Sequence, residues 1–558
     1  MRFKKLVLCR FLYTVILYSL LLSCGVSKSI KDIPDVSTYN STIQKRIKIS
    51  DSVFTIGNNF LGKNKQGLWE LYVEGDPLQI GLQTGSLTQE LFKKQEQAFL
   101  SKVEELVPSK TKQYLLKKIV AWYNRKMYLH VPPEYKAEIY GLSKYASNNY
   151  NYIADNYLRI LYLHGAHDIG HALQDVALVG CSSFAAWGEK TVDGDLIIGR
   201  NFDFYAGDDF AKDKIIAFVS PTKGHKFMSV TWGGMIGVVS GMNEHGLTVT
   251  INAGKSKIPL LAKTPISIVT REILQYASTI NEAIAIAKKR EVFVSESIFV
   301  GSAKDKKAIT IEVSPEKFGV YEVSNSNQLI CSNHFQSDVY KEDPNNIKQI
   351  AESHSQYRYK RMQELLQQEP KVTPKIAVDI LRNKEGLDNK QIGYGNEKAL
   401  NQLLAHHGIV FKPADRMVWV SSNPYQLGEF VAYNLKDIFG KRQTRIGLSK
   451  PRLNIEKDPF QYTKAYKDYE NYRKFRKDVQ KAIDKKETLS PSFITTFKNN
   501  NPEYWETYYL VGKYYYKKKY YTAALQAFKK AKSKEVTTVP DKREIDLCIK
   551  KLKRKLKK

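Results

Sequence analysis

Cys181 lies in the run VGCSSFAAW (Val179–Trp187), and GRNFDF follows at Gly199–Phe204. A thiol is a poor nucleophile at neutral pH unless a neighbouring cation or base favours the thiolate. Asp193-Gly194, between the two segments, is a strong two-residue hairpin signal. The return strand, predicted over Asp195–Gly199, then brings Arg200, Asn201 and Asp203 back beside the cysteine. One sulfur is thereby offered both a guanidinium and a carboxylate, and the chemistry expected is attack by a cysteine nucleophile. A solitary cysteine in an apolar strand is ordinarily a small buried hydrophobe, and an Arg–Asp pair at a strand end is commonly a weak surface contact. A glycine before the cysteine and two asparagine-bearing strands downstream favour the chemical reading.

Those downstream strands are GLTVTINAG (Gly246–Gly254) and the stretch CSNHF (Cys331–Phe335), followed by SHSQYRYKR (Ser353–Arg361). With the cysteine hairpin, they resemble the N-terminal-nucleophile amide hydrolases that use cysteine. That group includes the penicillin-biosynthesis acyltransferases (peptidase family C45), the choloylglycine hydrolases and acid ceramidase. The resemblance spans roughly Leu68 to Leu435 and is strongest to the acyltransferase branch. It implies a precursor that cuts itself between Gly180 and Cys181, freeing an α-amino group that serves as general base. It further implies that Cys181 is the nucleophile, Arg200 polarises the thiol and Asp203 holds the α-amine. Asn252 would lend a backbone N–H to the oxyanion hole and Asn333 its side-chain amide. Arg358 is the choice for the later arginine of the family, with Arg361 the alternative.

An α-amino group titrates near about 7.7–8.0 and a thiol near about 8.5, so a single residue can supply a matched base and nucleophile without a histidine. The oxyanion needs donors set in place beforehand, each contributing on the order of 3–4 kcal/mol to the transition state.

The remainder of the chain must position these groups. Arg2, Lys4 and Lys5 precede the apolar run Phe11–Leu22, which is too short to span a bilayer comfortably and reads as a signal peptide over residues 1–23. LLSCG (Leu21–Gly25) looks like a lipobox, making Cys24 the lipidated first residue of a cell-envelope lipoprotein. Residues 24–66 read as a polar tether and 67–180 as a helical N-terminal prosegment or small chain. The core runs from 181 to 455 and a helical C-terminal module from 456 to 558. Of five cysteines, none suggests a disulfide framework.

The net charge of +30 favours anionic partners such as lipid headgroups or acidic envelope polymers. No nucleic-acid module is readable, and the lipobox argues against nucleic acid as a partner. His164, His167 and His171 share a helical face, but the arrangement lacks the glutamate of a zinc-protease motif and reads as polar packing near the cleavage junction. No metal and no organic cofactor is required.

Alternating strands and helices give an α+β class, and the resemblance sharpens this to a four-layer αββα sandwich. Gly512, Tyr515, Ala524, Phe528 and Ala531 fall at spacings similar to one tetratricopeptide hairpin, a surface for a protein partner. The expected function is hydrolysis or acyl transfer on an N-acylated small molecule through a thioester. Bile-salt or penicillin V hydrolysis is the runner-up. A catalytically silent envelope scaffold and a papain-like pairing of Cys181 with His334 are the rivals from other classes.

Overall fold

The computed structural model describes residues 25–557 apart from 166–167, 169–179, 205–206, 256, 258–260 and 441–446. Cys24, His167 and His171 therefore lie outside the described residues. Two sheets carry the fold. The larger, in spatial order, holds β1 (Ile47–Ser50), β2 (Val53–Ile56), β3 (Asn59–Lys63), β4 (Trp69–Gly75), β7 (Ile215–Pro221), β8 (Phe227–Thr231), β9 (Ser240–Asn243), β10 (Leu247–Ala253), β11 (Glu296–Ser302), β12 (Lys307–Val313) and β13 (Phe318–Tyr321). The smaller holds β14 (Gln328–Cys331), β5 (Ser182–Ala186), β6 (Ile197–Phe202), β15 (His407–Lys412), β16 (Met417–Ser421) and β17 (Phe430–Asn434). All neighbours pair antiparallel except β4 and β7, which run parallel.

Alternation along each strand decides which core a side chain joins. On β5, Ala185 enters the cluster between the sheets while Phe184 and Ala186 face the other way. On β6, Ile198 faces inward and Ile197 outward. The shared core contains Ile216, Phe218, Met228 and Val230 from the large sheet against Ile409, Phe411, Val418 and Val420 from the small one. Burial on both faces explains why these strands read as nearly continuous apolar runs.

The outer face of the large sheet is covered by helices α1 (Pro77–Leu106), α2 (Pro133–Ser143), α3 (Asn156–His164), α4 (Ile266–Tyr276) and α5 (Ile280–Lys289). The outer face of the small sheet packs on α6 (Ser355–Gln368) and α7 (Pro374–Leu381) through Met362, Leu366, Val378 and Leu381.

Three local differences from the sequence expectations bear on the site. The return strand begins at Ile197 and runs to Phe202, because a 3-10 turn at Gly188–Lys190 lengthens the connection. The stretch around SHSQYRYKR is not one continuous helix but two, Pro344–Glu352 and Ser355–Gln368. Ser353 breaks it: its Oγ donates to Gln349 O (2.6 Å) and accepts from Ser355 N (3.1 Å), replacing helical bonds with side-chain ones. Residues 47–63, placed within the tether, form the three-strand meander β1–β3 on the edge of the large sheet. Their strands are only four or five residues long, too short to show a period by themselves.

After the core come helices α8 (Lys464–Lys485), α9 (Pro491–Asn500), α10 (Trp505–Lys517), α11 (Tyr521–Lys532) and α12 (Val539–Lys555). A Cβ at Gly512 would meet the Phe528 ring at 2.9 Å, so the glycine lets α10 and α11 approach closely. Ala524, Phe528 and Ala531 are buried there. Among the described residues no helix is long and apolar enough to cross a membrane.

Candidate active site

Ser182 and Ser183 on β5 stand opposite Asn201 and Arg200 on β6, which sets the guanidinium diagonally beside Cys181. Cys181 is 1% exposed and its neighbours Arg200, Asp203, Asn252 and Arg358 are fully buried. Arg200 Nη2 lies 3.8 Å from the Cys181 sulfur and donates to Ile251 O at 2.6 Å. Its Nη1 donates to Ser240 Oγ at 2.5 Å, and its flat face lies over Phe202.

The Gly180–Cys181 peptide is gripped from the other side. Arg358 Nη1 donates to Gly180 O (2.9 Å), Cys181 O (2.6 Å) and Ser182 Oγ (2.9 Å). Its Nη2 donates to Asn333 Oδ1 at 2.6 Å. Gln402 Nε2 also donates to Gly180 O, at 3.2 Å. A Cβ at position 180 would come within 2.1 Å of that same nitrogen, so only glycine admits the contact. Arg361 instead bonds Asn383, Asn389 and Glu364. Of the two arginines weighed, Arg358 is thus the one that touches Cys181.

Asn252 uses its side chain as a tie. Nδ2 donates to Cys331 O and Ser332 O, both at 3.2 Å, while Oδ1 accepts from Ser183 Oγ at 2.8 Å. Asn333 commits one amide hydrogen to Ala253 O at 2.9 Å, and its own N–H donates to Ser355 Oγ at 2.7 Å. His334 also bonds Ser355 Oγ, at 2.8 Å. Among the described residues no imidazole hydrogen-bonds the cysteine sulfur, in contrast to what a papain-like pairing requires.

Burial dominates the electrostatics. It pushes the Cys181 thiol up to about 11, against the pull of Arg200. It raises the Asp203 carboxyl to about 7, against Arg358 and Arg200, and lowers Arg358 to about 10. Neither oxygen of the Asp203 carboxylate has a hydrogen-bond partner among the described residues. A buried carboxylate in that condition is costly.

Four further residues joined to this site carry no motif in the sequence. Gln402 sits in an irregular loop. Ser240 was read only as part of a strand, yet its Oγ is 2.9 Å from His407 Nε2, and His407 Nδ1 is 2.8 Å from His406 Nδ1. Burial pushes both histidines well below their ordinary pKa, with Arg200 adding to the effect. The pair is therefore neutral and completes a buried chain from the sulfur through Arg200 and Ser240. The histidine doublet just before an apolar strand was the one available signal.

His164, from the cluster weighed above, is held at both ring nitrogens: Nδ1 bonds Ile160 O (2.8 Å) and Nε2 accepts from Ile236 N (3.1 Å). It is a packed neutral histidine, lowered to about 4 by burial. Next to Asp203, Phe204 opens an apolar cavity with Phe92, Phe99, Phe210, Trp232 and Met235. Gln402 also lines a cleft between α1 and the C-terminal helix α8.

Residues 190–424 match the family model of acyl-coenzyme A:6-aminopenicillanic acid acyl-transferase. The chain is similar to that family over this span. The matched segment begins after Cys181 and contains Arg200, Asp203, Asn252, Asn333, Arg358 and Gln402. An uncharacterized protein of Archaeoglobus fulgidus is 28% identical over 278 residues, covering 46% of this chain and 45% of that protein. The chain thus spans a little under half the length of that curated relative. Two solved structures are similar at low overall superposition. One is the Caenorhabditis elegans ortholog of N-acylethanolamine-hydrolyzing acid amidase, at 18% identity and TM-score 0.30, covering 42% of this chain and 93% of that one. The other is a mutant conjugated bile acid hydrolase from Clostridium perfringens, at 13% identity and TM-score 0.29, covering 44% and 89%.

Proposed function

We propose that this protein is a self-processing cysteine amidohydrolase or acyltransferase whose core is a four-layer αββα sandwich. The match to an acyl-transferase family model supports acyl-transfer or amide-cleaving chemistry in general. The observation that carries the finer reading is the convergence on one peptide bond. The Gly180 carbonyl is held by Arg358 and Gln402, the Cys181 sulfur lies against Arg200, and the Asp203 carboxylate has no hydrogen-bond partner among the described residues.

In the uncut chain the thiol is protonated, and Asp203, with its pKa raised into the operating range, is suited to take that proton. The sulfur attacks the Gly180 carbonyl carbon and the Gly180–Cys181 C–N bond breaks. The nitrogen takes up a proton, leaving a thioester from Gly180 to Cys181. Water hydrolyses this ester, releasing a Gly180 carboxylate, a free thiol and a new α-amine. That amine as ammonium is the partner Asp203 lacks in the intact chain.

In turnover the α-amine takes the thiol proton and the sulfur attacks the substrate amide. The oxyanion is met by the Asn252 N–H and the remaining Asn333 amide hydrogen, and the ammonium protonates the leaving amine. Water, activated by the same amine, then releases the acid. Bile-salt or penicillin V hydrolysis is the second reading. Water outside the cytoplasm, where acyl-CoA is absent, favours hydrolysis over transfer to an amine. Lipidation at Cys24 would hold the enzyme at the cell envelope, and the tetratricopeptide-like C-terminal helices offer a face to a protein partner.

Intact mass and N-terminal sequencing of wild type and Cys181→Ala test this directly. Wild type should yield a fragment beginning at Cys181, while Cys181→Ala stays whole. A wild-type chain that remains uncut and inert toward a panel of N-acylated amines would leave the scaffold as the better reading.

A further inference from the structure

We propose that His225, Glu244 and His245 bind one divalent transition-metal ion of the zinc class, clamping the β7–β8 turn to the β9–β10 turn. Among the described residues, this is the group of histidine and carboxylate side chains whose ligand atoms all lie within 4.8 Å of one another. His245 Nε2 is 3.1 Å from His225 Nδ1, and the two rings meet at 78°. A tetrahedral ion with metal–nitrogen bonds of about 2.0–2.1 Å separates two such nitrogens by about 3.3–3.4 Å. The pair therefore needs to open by only a few tenths of an ångström.

Both turns are already rigid. His225 N donates to Gln275 O at 2.7 Å. Asn243 Oδ1 accepts from His245 N (3.1 Å) and Leu247 N (3.0 Å), while its Nδ2 donates to Leu274 O (2.9 Å) and Ala277 O (2.7 Å). Glu244 Oε1 accepts from Lys226 N at 2.9 Å, which fixes the carboxylate beside the rings.

The donor set selects the ion. Two imidazoles and a carboxylate suit zinc-like metals, whereas magnesium and calcium prefer all-oxygen sites. Binding of the ion displaces whatever proton lies on the facing nitrogens. His245 is exposed, so the ion has an entry path and its fourth position faces water.

The site shares no residue with the Cys181 cluster, so it stands or falls independently of the proposed function. The test is calorimetric titration of the full-length protein with Zn2+, alongside Co2+ as an absorbing stand-in and Mg2+ as a control. Wild type should take up one Zn2+, show tetrahedral Co2+ absorption, melt at a higher temperature with zinc and ignore Mg2+. Glu244→Gln should weaken zinc binding by roughly tenfold or more, and His225→Ala/His245→Ala should abolish both binding and the melting shift. Zinc bound equally well by wild type and the double variant would mean an adventitious ion only and would overturn the proposal. So would a wild type that takes up none.

Discussion

Two carboxyl groups, one in each half of the molecule, are pushed up to about 7 by burial, and they are treated in opposite ways. Glu397, where the C-terminal helices dock on the core, accepts from Thr537 Oγ1 at 2.8 Å and from Tyr504 OH at 3.4 Å. Around it Lys390 and Lys398 pair with Glu535, and Asn396 donates to Glu535 O. That carboxyl is a fastening. Asp203 sits beside the Gly180–Cys181 peptide with two arginines nearby and, among the described residues, no hydrogen-bond partner on either oxygen. Native interiors rarely leave such a group unsatisfied. The contrast teaches that a raised pKa does not by itself mark chemistry, since one of the two groups is a fastening.

The comparison is most exposed at Arg358. Arg358→Leu should abolish cleavage at Gly180 and, in any processed material, lower turnover by about 10²–10³-fold. Arg361→Leu, which loses only loop and helix contacts, should lower stability but still cleave. Gel analysis and kcat on both variants decide this, and equal losses would erase the distinction between the two arginines.

Asp203 supplies the second test, through pH. Its folded pKa is raised, so its contribution favours the fold fully below the unfolded value of 3.8 and is lost as pH rises through about 7. The uncut Cys181→Ala protein should therefore lose stability between about pH 4 and pH 7, by up to about 4 kcal/mol. Denaturant unfolding across that range should show the loss, and Asp203→Asn in the same background should shrink it to the share that Glu397 contributes. A decline that persists unchanged in the double variant would assign the effect to another group, such as Glu397.

At the fastening, Thr537→Val removes the best partner of Glu397 and should cost about 1–3 kcal/mol of stability. Cleavage at Gly180 should proceed at its usual rate, as seen by mass spectrometry over time. Slower processing would mean that the C-terminal helices shape the site.

Smallest in effect is Ser240→Ala, which cuts the buried chain between Arg200 and His407. It should reduce turnover roughly tenfold, about 1.4 kcal/mol, and shift the pH–rate profile, because Arg200 loses an anchor while the sulfur keeps its neighbour. Ser240→Thr should restore both. An unchanged pH profile would make Ser240 a packing residue only.

Much of the arrangement could be read along the chain. The β5–β6 hairpin was visible because Asp193-Gly194 marks a turn between two short runs with apolar stretches, so Arg200 and Asp203 were expected near Cys181. The meander at 47–63 was missed, since its strands are too short to carry a period and gain their stability from tertiary contacts, pairing with β4 and burying Phe54, Ile56 and Leu61 in the core. Gln402, Ser240 and the histidine pair were missed for a different reason. Each reaches the site across long stretches of chain, through contacts that leave no local pattern.

What the sequence alone determined is the kinds of group present and the alternation that turns each strand. It thereby set a thiol preceded by glycine, a guanidinium and a carboxylate on the returning strand, and two asparagines on later ones. Only the tertiary structure decided between Arg358 and Arg361, committed the Asn252 side chain to tying β10 to the end of β14, and left the Asp203 carboxylate without a hydrogen-bond partner among the described residues. These outcomes depend on which residues share a dry interior. That is settled by how two sheets and their covering helices pack, because charge and hydrogen bonding gain their weight only where water is excluded.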